Sequence, residues 1–82
     1  MTTDLVAVEW GNVTGSAVVE GVGYGLSILN RSANSLLLEV NSLEDDLIIP
    51  PHTAFYEYLP RFSSFQITET EETDEWSYII KG

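Results

Sequence analysis

The sequence predicts an all-β domain, a small antiparallel β-sandwich of about seven or eight short strands, on three observations. Apolar and polar residues alternate with period two through most of the chain. No window longer than one turn places apolar residues at helical spacing, and clusters of turn-forming residues recur at intervals of about ten. A small closed barrel is the alternative the same pattern allows. The 82 residues make a single domain, 1–82, and a chain of this size buries only about 60–65% of the surface its unfolded form exposes.

Each strand follows from the alternation between turn signals. The predicted strands are Leu5–Trp10, Ser16–Glu20, Tyr24–Asn30, Leu36–Asn41, Leu47–Ile49, Ala54–Leu59, Ser63–Thr70 and Glu75–Lys81. Between them lie "GNVTG", "EGVG", "RSANS", "NSLEDD", "PPH", "PR" and "EETD", rich in the residues that punctuate turns. Pro50 and Pro51 cannot donate to a sheet ladder, so they fix the connection after Ile49. Pro60 is expected to end a strand at Leu59, with the next resuming after a tight corner. "NSLEDD" carries the signals of one helical turn, with Asn41 or Ser42 as cap. The glycines of "EGVGYGLS", at 21, 23 and 25, lack the helix start and lysine of a phosphate loop. They read instead as one bare face of an extended segment, room for a ring such as Trp10 or Trp76, or a bulge.

Alternation divides each strand into two faces. The predicted core takes Val6, Val8, Leu26, Ile28, Leu36, Leu38, Val40, Tyr56, Tyr58, Phe65, Ile67, Trp76, Tyr78 and Ile80. The opposite face carries Leu5, Leu37, Phe55, Leu59 and Ile79 among Glu9, Glu39, Glu57 and Lys81, and these five apolar residues are the expected protein–protein interface. An inverted assignment would make the tyrosine-rich face the binding surface instead.

Thirteen acids against Arg31, Arg61 and Lys81 give a formal charge of −10, which repels phosphate backbones and anionic lipid. No direct nucleic-acid or membrane partner is expected. No window reaches the roughly 18 apolar residues of a membrane span. "MTTDLVAVEW" has no basic n-region, so the mature protein is expected to start at Met1 and be made in a cytoplasm. There is no cysteine, hence no disulfide framework and no thiolate metal site.

No catalytic residue, cofactor or metal is expected. His52 is the one histidine and lies in "PPHTAF", without the G-x-S-x-G pattern of a nucleophile elbow. The carboxylates at Glu44–Asp46 and Glu69–Glu75 lack the alternating acids and central glycine of an EF-hand loop. "ETEETDE" reads as a solvated hairpin tip, and "NVT" at Asn12 and "NRS" at Asn30 as turn residues.

"ILNRSANSLLLEV", "LIIPPHTAFYEYLPRFSSFQI" and the terminal "EWSYIIKG", spanning residues 28 to 82, together resemble the layout of small virion proteins of tailed bacteriophages. The resemblance implies a non-enzymatic β-sandwich subunit of a protein lattice, such as a head-decoration, connector or tail-associated protein. Its partners would be viral structural proteins, itself as a homo-oligomer, or both, and its place the virion, after assembly in the host cytoplasm. Two other functions fit the residues: an acidic nucleic-acid mimic that inhibits a DNA- or RNA-binding enzyme, on the −10 charge, and a sugar-binding module using Trp and Tyr rings.

Overall fold

The computed structural model describes residues 6–68 and 71–82. It is all-β, with six strands in one open antiparallel sheet: β1 (Ala7–Thr14), β2 (Ala17–Asn30), β3 (Leu36–Val40), β4 (Leu47–Ile49), β5 (Ala54–Thr68) and β6 (Glu75–Lys81). Their order across the sheet is β1-β6-β2-β5-β3-β4. The expected two-sheet sandwich of seven or eight strands is thus replaced by one sheet of six, and β1 and β4 at its two ends leave it unclosed.

Two pairs of predicted strands fuse to give the smaller number. Ser16–Glu20 and Tyr24–Asn30 belong to β2, and Ala54–Leu59 and the described part of Ser63–Thr70 belong to β5. The punctuation between them bends the chain without reversing it. Along the β2–β5 ladder Glu20 pairs with Ser64, Gly23 with Phe62 and Gly25 with Tyr58. One extra residue therefore enters β2 before Gly23, and two enter β5 around Pro60. A bulge is where a strand tolerates proline, since the ladder bond is already interrupted.

The bend folds the sheet onto its own core. Phe65 pairs with Val19, and Trp76 pairs with Asn30. On a flat β2 these positions would stand about 36 Å apart, at roughly 3.3 Å per residue. Yet the two rings meet edge to face with centroids 6.2 Å apart. One wing holds β1, β6, the second half of β2 and the first half of β5; the other holds the remaining halves of β2 and β5 with β3 and β4. Their inner faces enclose Val19, Leu26, Ile28, Leu36, Leu38, Val40, Ile49, Phe62, Phe65, Ile67, Trp76 and Ile80.

Glycine is required at the bend. A Cβ on Gly23 would lie 2.6 Å from Ile80 Cγ2 and 2.7 Å from the Lys81 carbonyl oxygen, and one on Gly21 would meet Glu9 Oε2 and Ile80 Cδ1, both at 2.6 Å. The bare glycine face thus accepts Ile80 rather than a tryptophan ring. Gly15 turns the chain from β1 to β2 with φ 79°, and the run "GNVT" before it is strand. The Asn41–Asp46 segment forms turns and no helix; the Asn41 side chain instead accepts from Ser63 N–H at 3.0 Å and donates to Ser63 Oγ at 2.7 Å.

The open end between the wings is sealed by Asn30, which is fully buried. Its amide nitrogen donates to the carbonyls of Asn34, Ile49 and Pro50, and its oxygen accepts from Ser32 N–H and Ser32 Oγ. Asn34 Nδ2 then donates to Asp74 Oδ1, and Asp74 Oδ2 accepts from Glu71 N–H. Asp74 is buried, so the acidic hairpin tip is not wholly solvated. Every described buried side-chain nitrogen or oxygen has a hydrogen-bond partner.

Gly23→Ala is expected to cost roughly 1–3 kcal/mol in urea unfolding, because the added methyl meets backbone. Gly21→Ala should cost less, since its obstacles are side-chain ends able to rotate away. Equal losses would mean that the Lys81 carbonyl is not the limiting contact. Asn30→Ala should cost about 2–4 kcal/mol, as it strands the buried Ile49 carbonyl and the buried Ser32 N–H together with the part-buried carbonyls of Asn34 and Pro50. A loss below about 1 kcal/mol, the typical worth of a single hydrogen bond, would show that the network is replaceable.

Candidate binding face

Cross-strand partners share a face of a sheet, so the register assembles the outer side of the first wing residue by residue. Trp10 on β1 pairs with Ile79 on β6, Ile79 with Ser27 on β2, and Ser27 with Tyr56 on β5. The next row reads Asn12, Ser77, Leu29, Ala54, and on the other side Lys81, Gly25, Tyr58. Trp10 is 70% exposed and Tyr58 69%, with Leu29, Tyr56 and Ile79 also exposed. A shallow groove of about 440 Å³ runs between Trp10, Asn12, Ser27, Leu29, Ser77 and Ile79.

Tyr56 and Tyr58 meet edge to face at 5.6 Å, and the Lys81 ammonium sits 4.7 Å from the centroid of the Tyr56 ring. These contacts hold two exposed rings in place at the edge of the groove. Aromatic rings so fixed present large contact area with less conformational entropy left to lose. In a chain of net charge −10, none of the three rows carries an acid; Glu75 stands one row beyond, opposite Thr14.

The face assignment read from the sequence is inverted in two strands. Val6 and Val8 are exposed, as are Tyr56 and Tyr58, whereas Phe55 and Leu59 pack against the core. In β1 the register shifts between Ala7 and Glu9, which turns Glu9, Gly11 and Val13 inward. In β5 the bulge at Pro60 sits between the two halves, so a parity counted from Phe65 and Ile67 fails beyond it. Of the five expected interface residues, Ile79 stands on the aromatic face and Leu37 on the outside of the other wing, paired with the exposed Ile48. Phe55 and Leu59 face the core, and Leu5 lies outside the described residues. Trp10, the most exposed large apolar residue of those described, stands on this face, whereas from the sequence it is a candidate ring for the glycine face; nothing in "VEWGNV" marks the bulge before it.

His52 is exposed at the turn after Pro51 with φ 53°, its N–H donating to the Ser32 carbonyl. Among the described residues no three His, Asp or Glu side chains gather as a metal site. Beneath the face, burial and then the nearby Glu9 carboxylate raise the pKa of the Tyr78 phenol above its ordinary value of 10.0. No family model, curated protein or solved structure matches the chain.

A raised phenol pKa favours the neutral form in the folded state. Its contribution to stability is therefore complete below the unfolded value near 10 and is lost as pH rises through the folded one. Absorbance titration is expected to show the Tyr78 phenol ionising above its ordinary value of about 10. Glu9→Gln should bring that midpoint partway down, leaving the part due to burial. No movement would remove Glu9 as a cause.

Proposed function

We propose that this chain is a non-enzymatic assembly subunit that docks on another protein through the aromatic outer face of its first wing. The observation that carries the reading is the acid-free run of exposed Trp10, Ile79, Leu29, Tyr56 and Tyr58 across four strands of a strongly acidic chain. Charge depletion at the centre with aromatic enrichment is the composition of an interface core, and Lys81, Glu75 and Asn12 supply a polar rim. Within this class, the resemblance of residues 28 to 82 to small phage virion proteins favours a head-decoration, connector or tail-associated subunit.

The mimicry reading has less support. The exposed acids Glu44, Asp45 and Asp46 stand in the turn before β4 and Glu71 and Glu72 in the turn before β6, while Asp74 is folded inward. A sugar-binding function has one observation in its favour, the groove with Trp10 at its side and Asn12, Ser27 and Ser77 within it.

Affinity purification from the source with the wild-type chain, followed by titration of the recovered partner, separates these readings. Trp10→Glu and Tyr58→Glu are expected to abolish docking while leaving the β-type circular dichroism and unfolding midpoint nearly unchanged. Phe55→Glu should destabilise the fold itself, since it puts a charge against the core. Docking through an apolar face should persist in high salt, whereas binding by phosphate mimicry should weaken steeply. Binding to a glycan with no protein captured would replace the assembly reading.

A further inference from the structure

The two ends of the sheet are protected unequally. β4 is three residues long and is followed at once by Pro50, the short and stopped form of edge that resists further pairing. The free margin of β5 beside Ala54–Leu59 carries Glu57 and runs into Pro60, and the margin of β2 at Ala17–Glu20 is only four paired residues long, ending on an acid. β1 spans eight residues without a proline or a lysine, and its one charge is Glu9.

Backbone geometry tells which groups β1 leaves over. Gly15 N–H donates to the Asp74 carbonyl at 2.8 Å, which sets the phase of the antiparallel ladder with β6. Alternate residues turn both backbone groups to the partner strand, so Gly11 and Val13 face β6, while Trp10, Asn12 and Thr14 point theirs away from the sheet. Among the described residues no strand pairs with this side of β1, and each of these three offers one N–H and one C=O there. Their side chains stand on the aromatic outer face.

We propose that β1 pairs antiparallel with β1 of a second copy of this chain, about a two-fold axis at Asn12. In that register Asn12 faces Asn12 and Trp10 faces Thr14 of the second copy, so every outward backbone group of the three residues is used. A two-fold pairing requires such self-complementarity, and this edge has it. Glu9 falls opposite Gly15 of the second copy, never against another acid. Trp10, 70% exposed in the single chain, is covered by the second copy's Thr14 and, diagonally, Asn12, which is within reach of a large ring. Because directly paired residues share a face, the two aromatic faces join on one side of a continuous sheet.

Two chains of charge −10 repel at long range, and at physiological salt that repulsion is screened beyond about 8 Å. The dimer therefore tightens as salt is raised. It uses the β1 edge and covers only Trp10 and Asn12 at the margin of the docking face, leaving Ile79, Leu29, Tyr56 and Tyr58 open, and it forms in the purified protein whether or not that face binds a further protein.

Sedimentation equilibrium of the full chain over a range of concentration and salt, with amide hydrogen exchange by NMR, tests the pairing. The expected result is a monomer–dimer equilibrium that shifts toward dimer with salt. The amides of Trp10, Asn12 and Thr14 should become protected as concentration rises, while those of Gly11 and Val13 are protected throughout. Asn12→Pro removes an N–H that β6 does not use and should give a monomer with unchanged circular dichroism. Asn12→Lys keeps the backbone intact, places two like charges at the axis, and should weaken dimerisation at least tenfold. A wild-type chain that remains monomeric up to about 1 mM overturns the proposal. So does a dimer whose Trp10, Asn12 and Thr14 amides stay unprotected, or one that survives Asn12→Lys undiminished.

Discussion

An 82-residue chain without cysteine, whose described residues form one sheet and no helix, must cover both sides of its core with that same sheet. Everything else in the molecule depends on the fold-over of β2 and β5. It requires two long neighbouring strands to bend at the same level, and their defects are adjacent: Gly23 and Gly25 on one strand pair with Phe62 and Tyr58, on either side of Pro60 on the other. A side chain at Gly23 would stand in the space of Ile80 and the Lys81 carbonyl, so the bend and the packing of β6 against it are one constraint. Because the wings are halves of the same strands, the Phe65–Trp76 and Phe65–Tyr78 contacts act at once as core packing and as the clasp that holds the bend.

The polar cluster at Asn30 solves a problem that this architecture creates. Where β2 ends, the connection to β3, the β4–β5 turn and the β5–β6 hairpin converge, and backbone carbonyls there, that of Ile49 buried and those of Asn34 and Pro50 partly so, need donors. A buried amide with two donors and an acceptor satisfies groups from different segments, as no apolar residue could. Extension of the network through Asn34 to Asp74 links the hairpin tip to the same point. A network so fully paired favours one arrangement of the loops, because any other leaves buried groups unsatisfied.

Folding the sheet also sorts the surface. One side of each wing is consumed by the core and the other must face outward, with no helix or second layer in the described chain to cover it. On the first wing that outer side is grooved, aromatic and free of acids over three rows; on the second it mixes Val18, Leu37 and Ile48 with Glu20, Glu39 and Gln66. The contrast lies between the outer sides of a single sheet, and it is the observation on which the proposed docking face rests.

The all-β class, the turns at Pro50–Pro51 and Gly15, and the inward sides of β3 and β6 could be read from the sequence by itself, since period-two alternation and turn chemistry are local properties. Leu36, Leu38 and Val40 are buried as alternation requires, and so are Trp76 and Ile80. Strand number and the faces of β1 and of the first half of β5 were decided by tertiary structure. Each depends on a bulge, which shifts parity by the pairing of one strand with another and leaves no local mark beyond glycines and a proline that also occur in ordinary turns. Hence Tyr56 and Tyr58 read as core and are exposed, while Phe55 and Leu59 read as surface and are partly buried against the core. The candidate binding face itself became visible only when the register placed Trp10, Ile79, Ser27 and Tyr56 in one row, because residues so distant in sequence share a surface only through the hydrogen-bonded ladder.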